Sequence, residues 1–141
     1  MVVIDLNYYT SSQGVQGASP ITELQRLTVS LRGGFARRSG CLVFSFTGQL
    51  DAYSEKQFIT YVAGVLQVNN SSVVFDLSKV DFLDSSGLGS LVQTAKKCND
   101  SKRRFCLVGN PRVVQTLKLV RLEEFLHLAT DLPSALRQLA A

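Results

Sequence analysis

The residues best suited to chemistry stand together at Asp84-Ser85-Ser86-Gly87, where an apolar run that begins at Val73 gives way to an amphipathic segment. A small hydroxyl just ahead of a helix can cap its free N–H groups, and Gly87 and Gly89 put little side-chain bulk around that corner. Ser85 is therefore a hydroxyl within reach of another protein. Nucleophilic catalysis there would need a base, and His127 is the only histidine in the chain. No Gly-x-Ser-x-Gly elbow spans Ser85 or Ser86, and no phosphate-binding Gly-Lys-Ser/Thr sequence occurs. Gly87-Leu88-Gly89 hints at a dinucleotide loop, but Val92 stands where the third glycine would fall.

Other reactive side chains offer less. Asp76, Asp81 and Asp84 can be imagined as a carboxylate cluster for a metal. A strand end, a loop and a helix start explain them better, since a carboxylate beside a helix start favours the local dipole. Cys41, Cys98 and Cys106 are odd in number and match no zinc or redox spacing. Cys41 and Cys106 lie in apolar runs, so buried reduced thiols are expected. His127 stands between Leu126 and Leu128, and a single imidazole makes no histidine-based metal site. No metal and no cofactor is expected.

A chain of 141 residues suits one domain with a real core. Its 45% hydrophobic and 18% charged content places it away from disordered sequences. No apolar run approaches the roughly 18–20 residues that span a bilayer, and no signal peptide is evident. A soluble cytoplasmic protein without membrane insertion is expected. The net charge of +4 and pI near 9.2 raise the possibility of nucleic acid. The cations, however, fall in small groups: Arg32, Arg37 and Arg38; Lys102 to Arg104; Lys118 and Arg121. No aromatic side chains interleave with them to form a stacking surface, so solvated faces are the better explanation and no direct nucleic-acid contact is expected.

The elements that must position Ser85 read as follows. Residues 1–24 form an N-terminal extension rich in serine and glycine, either flexible or docked as an edge strand, and the domain occupies 25–141. Leu27 to Leu31 alternates at period two, Gly33-Gly34 reads as a turn, and Cys41 to Phe46 resumes strand character, so a hairpin is expected. Ser54 with Gln57 matches a capping box, followed by a helical stripe of Phe58, Tyr61, Val62, Val65 and Leu66. Ser72 to Leu77 reads as a strand covered on both faces. A helix from Ser86 to Lys97 follows, with Leu88, Leu91, Val92 and Ala95 turned inward. Phe105 to Val108 is the next strand. Asn110-Pro111 starts a helix lined by Val113, Val114, Leu117 and Val120. Phe125 to Ala129 could form a last strand, and Asp131 caps a terminal helix. The order β-β-α-β-α-β-α-β-α predicts an α/β domain with a mixed, mainly parallel sheet of four to five strands and helices packed against it.

Val74-Phe75-Asp76-Leu77 followed by Val80-Asp81-Phe82-Leu83-Asp84-Ser85-Ser86-Gly87-Leu88-Gly89 resembles the signature of STAS-domain proteins, specifically the stand-alone anti-sigma factor antagonists. Gly48-Gln49-Leu50-Asp51 and Gly109-Asn110-Pro111 resemble two further segments of that family in the right order. The resemblance implies a non-enzymatic switch. Ser85 would be phosphorylated by a partner anti-sigma factor that is also a serine protein kinase, and a serine phosphatase would reverse it. The unmodified form would bind the anti-sigma factor and free a sigma factor, through a surface containing Asp51, Asp84, Ser86, Gly87 and Leu88. The resemblance leaves the oligomer as monomer or weak dimer. The N-terminal segment and the Arg32 to Arg38 turn depart from the family pattern. Two alternatives stay open: an accessory or scaffold STAS subunit of another complex, such as one for lipid transport, in which the serine is unmodified; and a small-nucleotide-binding domain.

Overall fold

A computed structural model describes residues 24–140, so the expected N-terminal extension, apart from Leu24, lies outside the described residues. Six strands and four helices follow in the order β1 (Gln25–Arg26), β2 (Leu31–Arg38), β3 (Cys41–Leu50), α1 (Glu55–Leu66), β4 (Ser72–Leu83), α2 (Ser85–Asp100), β5 (Phe105–Gly109), α3 (Pro111–Leu119), β6 (Leu128–Ala129) and α4 (Leu132–Ala140). The strands form one sheet in sequence order. β1, β2 and β3 are antiparallel neighbours, whereas β3 to β6 are parallel and joined by helices.

Both faces of the sheet are buried, which explains the unbroken apolar run at its centre. Val73, Val74 and Phe75 are all inaccessible to solvent. One face carries the large side chains, Leu42, Phe44 and Phe46 of β3 and Phe75 and Leu77 of β4, against α1, α2 and α3. The other carries the smaller Val43, Val74, Cys106 and Ala129 against α4. Phe75 is the hub of the first face. Its ring meets Phe44 at 5.2 Å, Phe46 at 5.7 Å, Phe58 at 5.6 Å and Phe105 at 5.1 Å, all edge-on, the arrangement aromatic quadrupoles favour.

Several boundaries depart from the expected ones. Gly33 and Gly34 are not a turn but lie inside β2, and the ring of Phe46 fills the space beside Gly33, 2.7 Å from where a Cβ would sit. The turn comes further along the chain, at Ser39-Gly40, where both residues have positive φ (52° and 78°) and close a two-residue hairpin between Arg38 and Cys41. Leu27 to Ser30, expected as a strand, is a turn in which the Thr28 hydroxyl oxygen accepts from the N–H groups of Ser30 and Leu31. Gln25–Arg26 adds the sixth strand. β4 runs on to Leu83, six residues beyond the expected end at Leu77, because β3 continues beside it as far as Leu50. The last strand shrinks to Leu128–Ala129. On α3, Val113 and Leu117 are buried, while Val120 lies past the helix and is exposed.

Replacing Phe75 by Ala is expected to lower stability by about 3–5 kcal/mol, since four rings would face the cavity left behind. Urea unfolding with an unchanged m-value checks it.

Candidate functional site

The parallel pairing of β3 with β4 ends at Leu50 opposite Leu83. That register brings the Asp51–Ser54 loop and the start of α2 side by side. Asp84 joins them. Its backbone is extended, and its Oδ1 accepts the N–H of Gly87 at 2.9 Å, so Asp84 is the N-cap of α2. Its Oδ2 accepts the N–H of Ala52 at 3.4 Å, and its own N–H donates to the Leu50 carbonyl at 3.4 Å. The cap was expected among the serines. Aspartate and serine are equally eligible by type, and here the carboxylate wins because its second oxygen also holds the neighbouring loop.

Ser85 is thereby released from capping. It is the first residue of α2 and is exposed. The N–H of Gly87 goes to the Asp84 carboxylate and that of Leu88 to the Asp84 carbonyl. Among the described residues, the N–H groups of Ser85 and Ser86 have no such partner and point toward the open end of the helix. Ser86 and Leu88 are half-buried, with Leu88 packed on the core, and Gly87 is buried. A Cβ at Gly87 would run into the Leu50 carbonyl oxygen and would stand 2.8 Å from the Leu83 side chain. Only glycine lets α2 start this close to β3. Further along, α2 turns Leu91, Ala95 and Cys98 inward, together with Ser90 and Thr94, whose hydroxyls donate back to the carbonyls of Gly87 and Ser90.

Asp51 is buried, with 7% of its surface exposed. Its Oδ1 accepts from the N–H groups of Tyr53 and Ser54, at 3.0 and 3.1 Å. The expected capping box at Ser54 does not form. Instead its hydroxyl donates to the Gln49 carbonyl at 2.9 Å and accepts from the Asp51 N–H at 3.0 Å. Asp51 therefore shapes the loop beside Ser85 through its backbone bonds, while Ala52 and Tyr53 face solvent.

The remaining reactive residues do not join this site. Asp76 lies within β4, its Oδ1 bonded to the Ser78 N–H, and Asp81 is a strand residue whose carbonyl accepts from Arg112. Among the described residues, no group of three or more His, Cys, Asp or Glu could hold a metal ion. All three cysteines are free and buried. Burial pushes their thiols up, that of Cys98 to about 11, which disfavours the reactive thiolate. His127 precedes the edge strand β6, whereas Ser85 follows the far end of β4.

Arg37, Arg103 and Arg104 have structural partners that the sequence did not disclose. Arg37 donates to the Ser71 hydroxyl and the Asn69 side-chain oxygen, while Arg103 donates to the carbonyls of Ser71 and Leu66, closing the end of α1. Arg104 does the same for α4, at the carbonyls of Gln138 and Leu139. Among the described residues no helix is long and apolar enough to cross a membrane.

Comparison with known proteins places this geometry among relatives. A family model described as the STAS domain matches residues 35–135. A curated anti-sigma-B factor antagonist of Staphylococcus aureus is 25% identical over 81 residues, covering 57% of this chain and 75% of that protein. The crystal structure of an anti-sigma factor antagonist from Mycobacterium paratuberculosis superposes with a TM-score of 0.73 at 25% identity, covering 79% of this chain and 96% of that one. The anti-sigma factor antagonist SpoIIAA in its unphosphorylated form shares the fold, with a TM-score of 0.53 at 18% identity over 77% of this chain and 88% of that one.

The division of labour at the start of α2 is measurable. Asp84→Ala is expected to cost about 0.5–2 kcal/mol of stability, because the Gly87 and Ala52 donors lose their acceptor. Ser85→Ala should stay within about 0.5 kcal/mol of the parent. Equal losses in urea unfolding would contradict the assignment of the cap.

Proposed function

The chain belongs to the STAS domain family, and we propose that within it this protein is a non-enzymatic anti-sigma factor antagonist switched by phosphorylation of Ser85. The observation that carries the proposal is the exposed Ser85 hydroxyl at the first position of α2, free of the capping role that Asp84 performs. The unmodified protein binds a kinase-type anti-sigma factor through the face around Asp51, Asp84, Ser86, Gly87 and Leu88 and so releases a sigma factor. The kinase transfers the terminal phosphoryl group of ATP to the Ser85 oxygen. The new P–O bond replaces the bond to ADP, and the hydroxyl proton is lost. A phosphatase restores the hydroxyl by hydrolysis.

The electrostatics support a switch at this position. A phosphoryl group adds about −1.5 to −2 charges near pH 7, beside the Asp84 carboxylate. The helix start, with the N–H groups of Ser85 and Ser86, accommodates that charge in the free protein, so the fold survives. Covering it with a partner that cannot pair it is different. A poorly paired dianion at an interface costs several kcal/mol, enough to lower affinity about a hundredfold or more.

Ser85→Asp is expected to abolish binding to the anti-sigma factor and Ser85→Ala to retain it, with both proteins folded. Binding measured by calorimetry, together with intact-mass analysis of the protein from its native cell and mapping of the modified residue, tests this. Equal binding by both variants would remove the switch. Co-purification with a membrane ATPase complex instead of a kinase would favour an accessory STAS subunit.

A further inference from the structure

A cleft of about 360 Å³ gathers cations from segments that lie apart in the chain. Lys102, Arg103 and Arg104 line it from the loop that leads into β5, and His127 lines it from the turn that leads into β6. Asn99 and Gln138 complete its polar lining. Among the described residues no carboxylate lines it, since Glu123 and Glu124 belong to the neighbouring groove beside β6. The fold also sets Phe125, 41% exposed, in this cleft, an aromatic neighbour for cations some twenty residues away in sequence. Phe105, which lines it too, stands opposite Val73 near the start of β4, whereas Ser85 follows the end of that strand. The cleft and Ser85 therefore lie at opposite ends of the sheet.

Two features of the lining call for an anion. Arg103 is half-buried, and its guanidinium is held by the carbonyls of Ser71 and Leu66, with no ion pair to a carboxylate among the described residues. A guanidinium carries five N–H donors, so two carbonyls leave donors over and offset its charge only in part. Lys102 and His127 both have positive φ (58° and 51°), the region glycine occupies more easily. Two exposed basic side chains are thus kept in the same cleft at a cost to the backbone.

We infer that this cleft binds a phosphate monoester, with the phosphate among Lys102, Arg103 and His127 and the organic part against the Phe125 ring. The inference is independent of the switch at Ser85. A phosphate monoester carries about −1.5 to −2 charges near pH 7, which answers several cations, whereas a single carboxylate leaves most of them unmet. The planar donor fork of arginine also matches phosphate oxygens. The volume lies within the roughly 300–1,000 Å³ of small-ligand sites and leaves room beside the phosphate for the rest of the molecule. A soluble phosphate ester and the headgroup of phosphatidic acid present the same chemistry.

The test titrates the full chain with phenyl phosphate and with inorganic phosphate at physiological salt, by calorimetry and by amide NMR shifts. Phenyl phosphate is expected to bind more tightly than inorganic phosphate, with the largest shifts at Lys102 to Arg104 and His127. Phe125→Ala should reduce it to the level of inorganic phosphate. Lys102→Gly should weaken it about tenfold. Because glycine suits the backbone there, the thermal midpoint of that variant should not fall. Ser85→Asp should bind as the parent does. Vesicles of phosphatidylcholine with and without phosphatidic acid separate the sources: co-sedimentation that needs phosphatidic acid and is lost in Lys102→Gly assigns a lipid headgroup, and its absence alongside phenyl phosphate binding assigns a soluble ester. Parent-like affinity in Lys102→Gly, loss of binding in Ser85→Asp, or no saturable binding of phenyl phosphate or phosphatidic acid vesicles would overturn the site.

Discussion

No side chain fits between the first turn of α2 and the last residue of β3. Gly87 meets the Leu50 carbonyl there with only a hydrogen, and Leu83 closes the other side. That contact fixes where α2 begins, and the rest of the site follows from it. With the helix start pinned over the end of β3, the Asp84 carboxylate reaches both the Gly87 and the Ala52 N–H groups. The Asp51 loop is then held against the helix, and the residue after the cap has nowhere to point except outward. The exposure of Ser85 is thus a consequence of close packing beneath it.

The sheet supplies the rigidity that this arrangement needs. β3 and β4 are the two longest paired strands in the parallel part, and they run past their neighbours, since β4 pairs with β5 only as far as Leu77 opposite Gly109. The last six residues of β4 therefore project beyond β5, with β3 on one side and the Asn110 and Arg112 side chains donating to the carbonyls of Ser78, Val80 and Asp81 on the other. Below that projection Phe75 and its four ring neighbours lock the helices of one face to the strands. A reversible modification on the projecting end can change what docks there without disturbing the packing below.

The fold is most legible in the sequence where one physical cause dominates. Val73 to Phe75 reads as a covered strand because three large apolar residues follow one another with no polar alternation, and all three are buried. Asn110-Pro111 had to start a helix, and the Asn110 side chain does accept the Val113 N–H. It is least legible where a residue serves two purposes. Gly33 and Gly34 look like a turn in sequence, but Gly33 is small to make room for the Phe46 ring. Lys79 and Asp81 break the apolar run after Leu77, which reads as the end of a strand, although the backbone pairing continues. Asp84 and Ser85 are both good caps by residue type, and the choice between them depends on tertiary contacts, the seat of Gly87 on Leu50 and the nearby Ala52 N–H, that the sequence does not display. Arg37 and Arg103 belong to groups far apart in the chain, and their shared hold on Ser71 exists only once the sheet has formed.

The alternation of strand and helix puts every helix start at the end of the sheet where the parallel strands finish. Glu55, Asp84 and Asp131 stand at three of those starts, whereas Lys97 and Lys118 stand at helix ends, and Arg103 and Arg104 grip the final carbonyls of α1 and α4. Each of those helix starts presents partial positive charge, which Asp84 and Asp131 offset, whereas Arg112 stands beside the start of α3. A phosphate on Ser85 would therefore meet the positive end of α2 where the Asp84 carboxylate already sits, so that one helix end would serve two anions.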